Sequence, residues 1–390
     1  MGEWTRVRLG DLIEVYNSQR RPIKSTDRVS GETPYYGASG VVDSVDGYTH
    51  EGEFLLIAED GENLRSRSTP IAFRADGKIW VNNHAHVVTG KYSFDTRFLE
   101  HALALSDISG YLTGSAQPKL SRAAMESIAL TVPLPSTRKA IAEVLGALDD
   151  KIVANGRVSR RAAELAASSF GESFSTTLEN ANSLAELFAK GQLEYGDGYR
   201  TKKSELAMSG FRIIRAADVK DSVVRLSGSD FVSAAFSRQM GRKVALPRDI
   251  VLTTKGTVGR IAIVPESVGN AVYSPQCCYF RLPEASALDY GYLVGWSLSD
   301  DIQRQLALVM HKSDMAPYVN LKDIGSLSIP VPDEATQRRI GAEQRALIEL
   351  QHACSAENEA LAHTRDQLLP LLMSGKVTVK EAEEEVGGLV

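Results

Sequence analysis

The chain carries one segment twice. Pro118, Ser127, Ile128, Leu130, Val132, Pro133, Thr137, Ile141, Ala147 and Leu148 recur, without a gap, as Pro317, Ser326, Leu327, Ile329, Val331, Pro332, Thr336, Ile340, Ala346 and Leu347. Eight of the ten pairs are identical and the other two exchange one aliphatic for another, so the match lies in a pattern and not in bulk composition. In both copies a strand-like run ends at a proline and passes into a long helical pattern. A period of roughly 200 residues is too long for a solenoid unit, so what repeats is a whole domain with its trailing helix. The spacing predicts two half-molecules in tandem.

A chain of 390 residues has room for two or three domains, each with its own core. Apolar content of 43% and charged content of 24% place it among globular proteins and exclude a disordered or fibrous class. No apolar run approaches the ~20 residues of a membrane span. The start lacks a signal-peptide pattern, and Arg6 stands where a Met1-Gly2 lipidation signal needs Ser or Thr. A soluble, cytoplasmic protein with no membrane partner is expected. Cys277 and Cys278 are adjacent and Cys354 lies in a helical run, which gives neither a disulfide framework nor a CxxC spacing. His84 and His86 flank Ala85 on one face of a strand-like run, but no further ligands accompany them and no metal is predicted.

Organisation follows from the periodicities. Residues 1–133 are turn-rich and strand-rich and form a first α+β globular unit. Over residues 134–175 the apolar residues Ile141, Val144, Leu145, Leu148, Ile152, Val158, Ala162, Leu165 and Ala166 recur at threes and fours, the seam of a long spacer helix. Residues 176–332 repeat the first unit: Ser183-Leu184-Ala185-Glu186-Leu187 echoes Arg8 to Leu12, and Val251 to Gly256 echoes Leu55 to Gly61. Residues 333–375 carry a second stripe, Ile340, Leu347, Leu350, Cys354, Leu361, Leu368, Leu371 and Leu372, which stops at Ser374-Gly375-Lys376. Residues 376–390 form an acidic tail, and the run Glu381 to Glu385 is expected to be disordered. The fold class is α+β: two tandem globular recognition domains, separated by two long helices that pair as an antiparallel coiled coil. Asn155, Ser159, Glu357 and Asn358 interrupt that seam and either set its register or lie on the exposed side, the exposed side being the favoured reading.

Several chemistries are missing. There is no Gly-rich cofactor loop with an Asn-Pro-Pro-aromatic elbow, as an adenine methyltransferase needs, and no phosphate loop for an ATP-driven motor. Glu59-Asp60-Gly61-Glu62 gathers carboxylates as a metal nuclease would, but the other unit has Thr254-Lys255-Gly256 there, keeping the glycine and losing the acids. A turn with a fixed glycine is the reading, and no catalytic residue is predicted. What remains is a pair of recognition modules. Net charge is −5, yet basic residues cluster at Arg20, Arg21, Lys24 and Arg28 and again at Arg242 and Lys243. Asn and Gln read adenine, Arg and Lys read guanine or hold phosphate, and Ser and Thr serve either role. The candidate DNA-binding residues are Tyr35, Tyr36, Ser39, Arg65, Arg67, Asn82, Asn83 and His84 in the first unit. In the second they are Lys202, Lys203, Thr254, Lys255, Thr257, Arg260, Ser274 and Gln276. A coiled-coil scaffold displaying two protein-binding domains, and an independent metal nuclease, are the competing classes.

Leu9-Gly10-Asp11-Leu12, Pro34-Tyr35-Tyr36-Gly37-Ala38-Ser39-Gly40, Asp60-Gly61-Glu62-Asn63 and Val81-Asn82-Asn83-His84-Ala85-His86-Val87 occur in that order. Asp249-Ile250-Val251-Leu252 with Gly256-Thr257-Val258-Gly259-Arg260 follows in the second unit. With the helical stretches from Val132-Pro133 to Ile152 and from Val331-Pro332 to Ile340, this series resembles the specificity subunit of a type I restriction-modification system. The second helix departs from the pattern, having Leu347-Ile348-Glu349-Leu350-Gln351 where the first has Leu148 to Ile152, and Gln337 stands where the first has Arg138. The resemblance implies a non-catalytic subunit that reads a bipartite site on double-stranded DNA, one domain per half-site, with the helices setting the unread gap. It further implies two modification (methyltransferase) subunits and restriction (endonuclease/translocase) subunits as partners. This chain would need no cofactor, since S-adenosylmethionine, ATP and Mg would sit on the partners. The same adaptor in a methylation-only or other phage-defence complex has the same sequence pattern.

Overall fold

In the computed structural model, residues 4–174, 181–220, 222–226, 228–311 and 316–387 are described. The chain divides into two compact units, one made of Met1–Ala154 with Glu357–Val390 and the other of Asn155–Ala356. The two long helices, Pro135–Phe174 and Glu334–Met373, are therefore not bodies of their own, since each gives one half to each unit. Among the described residues no helix is long and apolar enough to cross a membrane.

The first unit holds β1 (Thr5–Arg8), β2 (Ile13–Val15), β3 (Ser30–Gly37), β4 (Gly40–Val45), β5 (His50–Ala58), β6 (Ala72–Val81), β7 (Ala85–Gly90) and β8 (Ala129–Val132). Strands β2 to β7 form one sheet in the order β2-β7-β5-β6-β3-β4. The run Phe54 to Ala58 does not alternate with polar residues because both faces of β5 are covered. Leu55 and Ile57 point into the main core under the helix Asp95–Leu105, whereas Phe54 and Leu56 enter a smaller cluster with Ile79, Val81 and Val87.

The second unit repeats this construction with β9 (Ala181–Ser183), β10 (Glu194–Asp197), β11 (Leu206–Ala207), β12 (Phe211–Ile214), β13 (Val219–Lys220), β14 (Ser222–Val224), β15 (Phe231–Val232), β16 (Ile250–Thr253), β17 (Ile261–Ile263), β18 (Ala271–Tyr273), β19 (Cys277–Arg281) and β20 (Ser328–Pro330). Its sheets run β10-β19-β16-β17-β14-β13 and β11-β15-β12-β18. Ile250 and Leu252 face the core that holds Trp296 and Phe170, and Val251 faces a second cluster around Tyr273. Burial pushes the Cys277 thiol up to about 12, so it packs as a neutral apolar group. All three cysteines are free and buried.

Each unit is closed by the same clasp. β1 pairs antiparallel with β8, and β9 with β20. The Leu9 amide donates to the Ile128 carbonyl at 2.8 Å, and the Leu184 amide to the Leu327 carbonyl at 2.8 Å. Just beyond the clasp, a polar side chain on the long helix fixes the domain's own helix. Arg138, buried, makes a two-point contact with buried Asp95 at 2.8 and 3.3 Å and also donates to the Pro133 carbonyl. In the second unit Gln337 accepts from the Asp289 amide at 3.0 Å and donates to the Pro332 carbonyl at 2.8 Å, while Arg345 takes the Asp289 carboxylate. The exchange of Arg138 for Gln337 thus keeps the joint and divides its work between two residues.

Within each unit the helix halves run antiparallel. In the first, Arg365 donates to Asp149 at 2.9 Å, Asn358 donates to the Ile152 carbonyl at 3.2 Å, and Ile141, Leu145 and Leu148 share a core with Leu361, Leu368 and Leu372. In the second, Gln344 donates to the Ala166 carbonyl at 3.0 Å and to Ser169 Oγ at 3.1 Å. The seam is less aliphatic than the stripe predicts: Val158, Leu165 and Leu350 are exposed, whereas Asn155, Gln344 and Gln351 are buried. The exposed reading of Asn155 is corrected, since it is only 7% accessible. Ala162 and Ala166 take the inward places next to it, where larger side chains would hold the helices apart.

The second helix stops as expected. Gly375 has φ +67°, and the Gly375 and Lys376 amides return to the Leu372 and Leu371 carbonyls. The acidic tail, in contrast, is helical over Val379–Val386. Thr378 and Glu381 form a reciprocal capping box, and Ala382 and Val386, one turn apart, are buried in the first unit's core. Its glutamates occupy the exposed side, so high charge here marks the outer face of an amphipathic helix and not disorder.

Backbone crowding in the second unit gives a stability test. A methyl group on Gly291 would lie 2.0 Å from the Gly341 carbonyl oxygen, so the helix Tyr290–Leu298 and the second long helix touch backbone to backbone. Gly291→Ala is expected to destabilise the protein by about 3 kcal/mol in denaturant unfolding. Gly156→Ala, in a helix with open space around it, is expected to stabilise by about 0.5–1 kcal/mol.

Candidate nucleic-acid interface

In each unit three chain segments meet beyond the end of the central strand and are tied by the same backbone bonds. In the first, the Glu59 amide donates to the His84 carbonyl at 2.9 Å, the Leu120 amide to the Glu59 carbonyl at 2.7 Å, and the Gly61 amide to the Pro118 carbonyl at 3.1 Å. In the second, the Thr254 amide donates to the Gln276 carbonyl at 2.7 Å, the Val319 amide to the Thr254 carbonyl at 2.9 Å, and the Gly256 amide to the Pro317 carbonyl at 3.2 Å. Gly61 and Gly256 have φ of +107° and +78° with nothing near the missing Cβ, so backbone conformation and not space demands glycine. This frame is common to both units, and its side chains are not.

The first frame is occupied by ion pairs. Glu59 lies 2.7 Å from Arg20 and 3.5 Å from both Lys119 and His86, and His84 Nδ1 is 2.9 Å from both Asp60 oxygens. Burial pushes the Glu59 carboxyl up, but the Arg20 hydrogen bond and the surrounding cations bring it below the usual range. His84 and His86 are not a metal pair: His86 is buried against the Leu120 carbonyl and Asn17, while His84 faces outward. Among the described residues, the group with metal-ligand spacing is Glu100, His101 and Asp149, away from this frame. Its carboxylates are already held by Arg74 and Arg365, at 2.7 and 2.9 Å. The second frame carries a loop closed by Thr253, whose amide donates to the Arg260 carbonyl and whose hydroxyl donates to the Thr257 carbonyl. Lys255, Thr257, Arg260 and Gln276 stand exposed around it.

Several candidates are placed elsewhere. Tyr35 is 1% accessible, with its hydroxyl receiving the Ile23 amide and Arg28 over its ring, so it is a core residue. Tyr36 is half-buried and stacks on Phe73. Arg65 donates to the Ser115 and Gly114 carbonyls, and Arg67 to the Ala104 and Ser106 carbonyls at the end of the Asp95–Leu105 helix. These arginines satisfy backbone acceptors that a helix end and a turn leave open. Asn82 is buried and accepts from the His84 amide, shaping the turn, while Thr254 and Ser274 are buried as well. Ser39, Asn83, Lys202 and Lys203 are exposed. Lys119 and Tyr318, absent from the candidate set, join the two frames at equivalent places. The signal was in the repeat itself, which pairs them one residue after Pro118 and Pro317.

One backbone frame is thus built twice in the chain, with different outward side chains. Residues 1–158 match the family model described as the type I restriction modification DNA specificity domain. Over 141 residues the chain is 44% identical to a Haemophilus influenzae protein named as a putative type I restriction enzyme specificity subunit. That match covers 36% of this chain and 36% of the relative's length. The MjaVIII specificity subunit of Methanocaldococcus jannaschii is 19% identical over an alignment covering 97% of this chain and 94% of the relative. The crystal structure of a type I restriction-modification system S subunit from M. genitalium shares the fold, with a TM-score of 0.60 over 95% of this chain and 96% of that one at 15% identity. Over these spans the chain is similar to type I specificity subunits, in line with the resemblance carried by its motifs.

Burial beside the first frame sets a pH dependence. His50 and His86 are held below the ordinary imidazole range by burial, as is His352 in the second unit. The unfolded chain then binds protons that the folded one resists, so this stability is present above pH ~6.5 and lost as pH falls below it. The denaturant midpoint is expected to drop between about pH 8 and about pH 5.5, and His86→Gln should flatten the slope. A midpoint independent of pH over that span would contradict the assignment.

Proposed function

We propose that this chain is the non-catalytic DNA-reading subunit of a type I restriction-modification complex. Each unit reads one half of a bipartite duplex site, and the long helices set the number of base pairs left unread between the halves. The chain recruits two modification subunits and, with them, the restriction subunits. S-adenosylmethionine, ATP and Mg then act on those partners, where methyl transfer and translocation take place. The observation that carries this reading is the duplicated frame. A scaffold that keeps its backbone bonds while replacing Asp60, His84 and Lys119 by Lys255, Gln276 and Tyr318 suits the reading of two different base sequences. Tandem duplication does in one chain what a twofold dimer does with two. A net charge of −5 accords with partners that supply much of the phosphate contact.

Replacing residues 1–133 by those of a relative with another specificity is expected to change one half of the methylated motif and leave the other half as it was. Sequencing of modified bases in cells expressing each chain reads this directly, and movement of both halves would refute one unit per half-site. Lengthening both long helices by one heptad adds ~10 Å and is expected to widen the unread gap by about 3 base pairs. An unaltered gap would remove the ruler role.

A further inference from the structure

We propose that the bases are read by a cross-strand row of three side chains in each unit, Asp60–Lys119–Thr113 in the first and Lys255–Tyr318–His311 in the second. The proposal rests on the DNA-reading function above and names the residues that perform it. Antiparallel bridges join Asp60 to Lys119 and Lys119 to Thr113, and in the same pattern Lys255 to Tyr318 and Tyr318 to His311. Both central residues are held by paired backbone bonds: Lys119 with Thr113 at 2.8 and 2.9 Å, Tyr318 with His311 at 3.1 and 2.9 Å.

Residues directly opposite one another in an antiparallel pair project to the same side, with Cβ atoms ~5 Å apart. Each trio is therefore a continuous row ~10 Å long, close to the ~12 Å width of the major groove. Their neighbours in sequence turn inward, since Pro118, Leu120 and Val319 are buried. The central side chain of each row turns outward: that of Lys119 is 55% accessible and Tyr318 is 38% accessible, while Asp60 is part-buried against His84. Tyr318 lies flat on His311, with ring centroids 5.0 Å apart and planes at 21°, and His311 is fixed by Asp323 at 2.9 Å. An exposed aromatic pair held this firmly, with a hydroxyl at its edge, offers a pre-set contact to a base edge. Lys119 offers a cation suited to guanine in the corresponding place.

The test uses the full chain, co-expressed with a modification subunit with which it assembles, and maps the methylated motif for wild type, Lys119→Ala and Tyr318→Ala. Tyr318→Ala is expected to relax one position of the second half-motif about 10-fold or more while the first half stays unchanged, and Lys119→Ala to do the reverse. The untouched half-motif and an unchanged melting temperature of each purified variant report intact folding. A motif identical to wild type in both variants overturns the row while leaving the adaptor reading in place. Equal loss on every sequence overturns it too, because that is the mark of phosphate contact. Absence of any sequence-specific methylation with the wild-type chain would instead fail the adaptor reading itself.

Discussion

Neither long helix can bury its apolar face alone, and the antiparallel contact between their halves is what the rest of this molecule depends on. In the first unit Leu145 and Leu148 share one core with Leu361, Leu368 and Leu372, and the same core reaches Leu9, Leu55 and Phe98 in the globular part. Helix pairing and domain folding are thus one hydrophobic event. The polar members of the seam add geometry to it. Gln344, whose amide finds the Ala166 carbonyl and Ser169, tolerates little sliding of one helix past the other, because a shift would leave a buried donor unpaired.

From that base each unit projects the same frame. The clasp of β1 with β8, or of β9 with β20, fixes where a domain ends and its helix begins, and Arg138 or Gln337 then locks the first turns of that helix to the domain. The central strand, covered on both faces, carries the frame at its end on a support that is rigid in every direction. At the outer positions of the frame, Asp60, His84 and Lys119 differ from Lys255, Gln276 and Tyr318 while the backbone bonds persist. Exchanging Lys255 for aspartate alters what the surface offers, whereas exchanging Lys119 for tyrosine also removes a cation 3.5 Å from Glu59.

The architecture was legible in the sequence because a repeat with matched turns, strand ends and helix starts leaves few alternatives. Gly375 as a stop and the equivalence of Gly61 with Gly256 are legible from residue type, since each sits at a positive φ that favours glycine. The seam was read less well. Periodicity marks an apolar stripe, but it cannot show that Ala162 faces inward while Val158 and Leu165 face out, because the close approach of two helices favours the small residue. In the tail, charge density points to disorder, but the Thr378–Glu381 cap and the spacing of Ala382 and Val386 prevail and make it a docked helix. Among the site residues, Arg65, Arg67 and Asn82 look like DNA contacts in one dimension. In three they satisfy carbonyls and amides that local turns leave open, and no residue-type argument reveals that demand.

The first unit takes material from two stretches separated by the whole second unit, with Trp4 packed against the same core as Met373 and Val379. A ribosome makes Leu55, Phe98 and Leu148 long before it makes Leu361 or Val386. The amino-terminal half must therefore wait during synthesis with part of its interior uncovered, whereas the second unit, Asn155–Ala356, is contiguous and closes as soon as it emerges. Order of completion is the reverse of order of translation, and the first domain becomes whole only after the stretch that follows the second has been made.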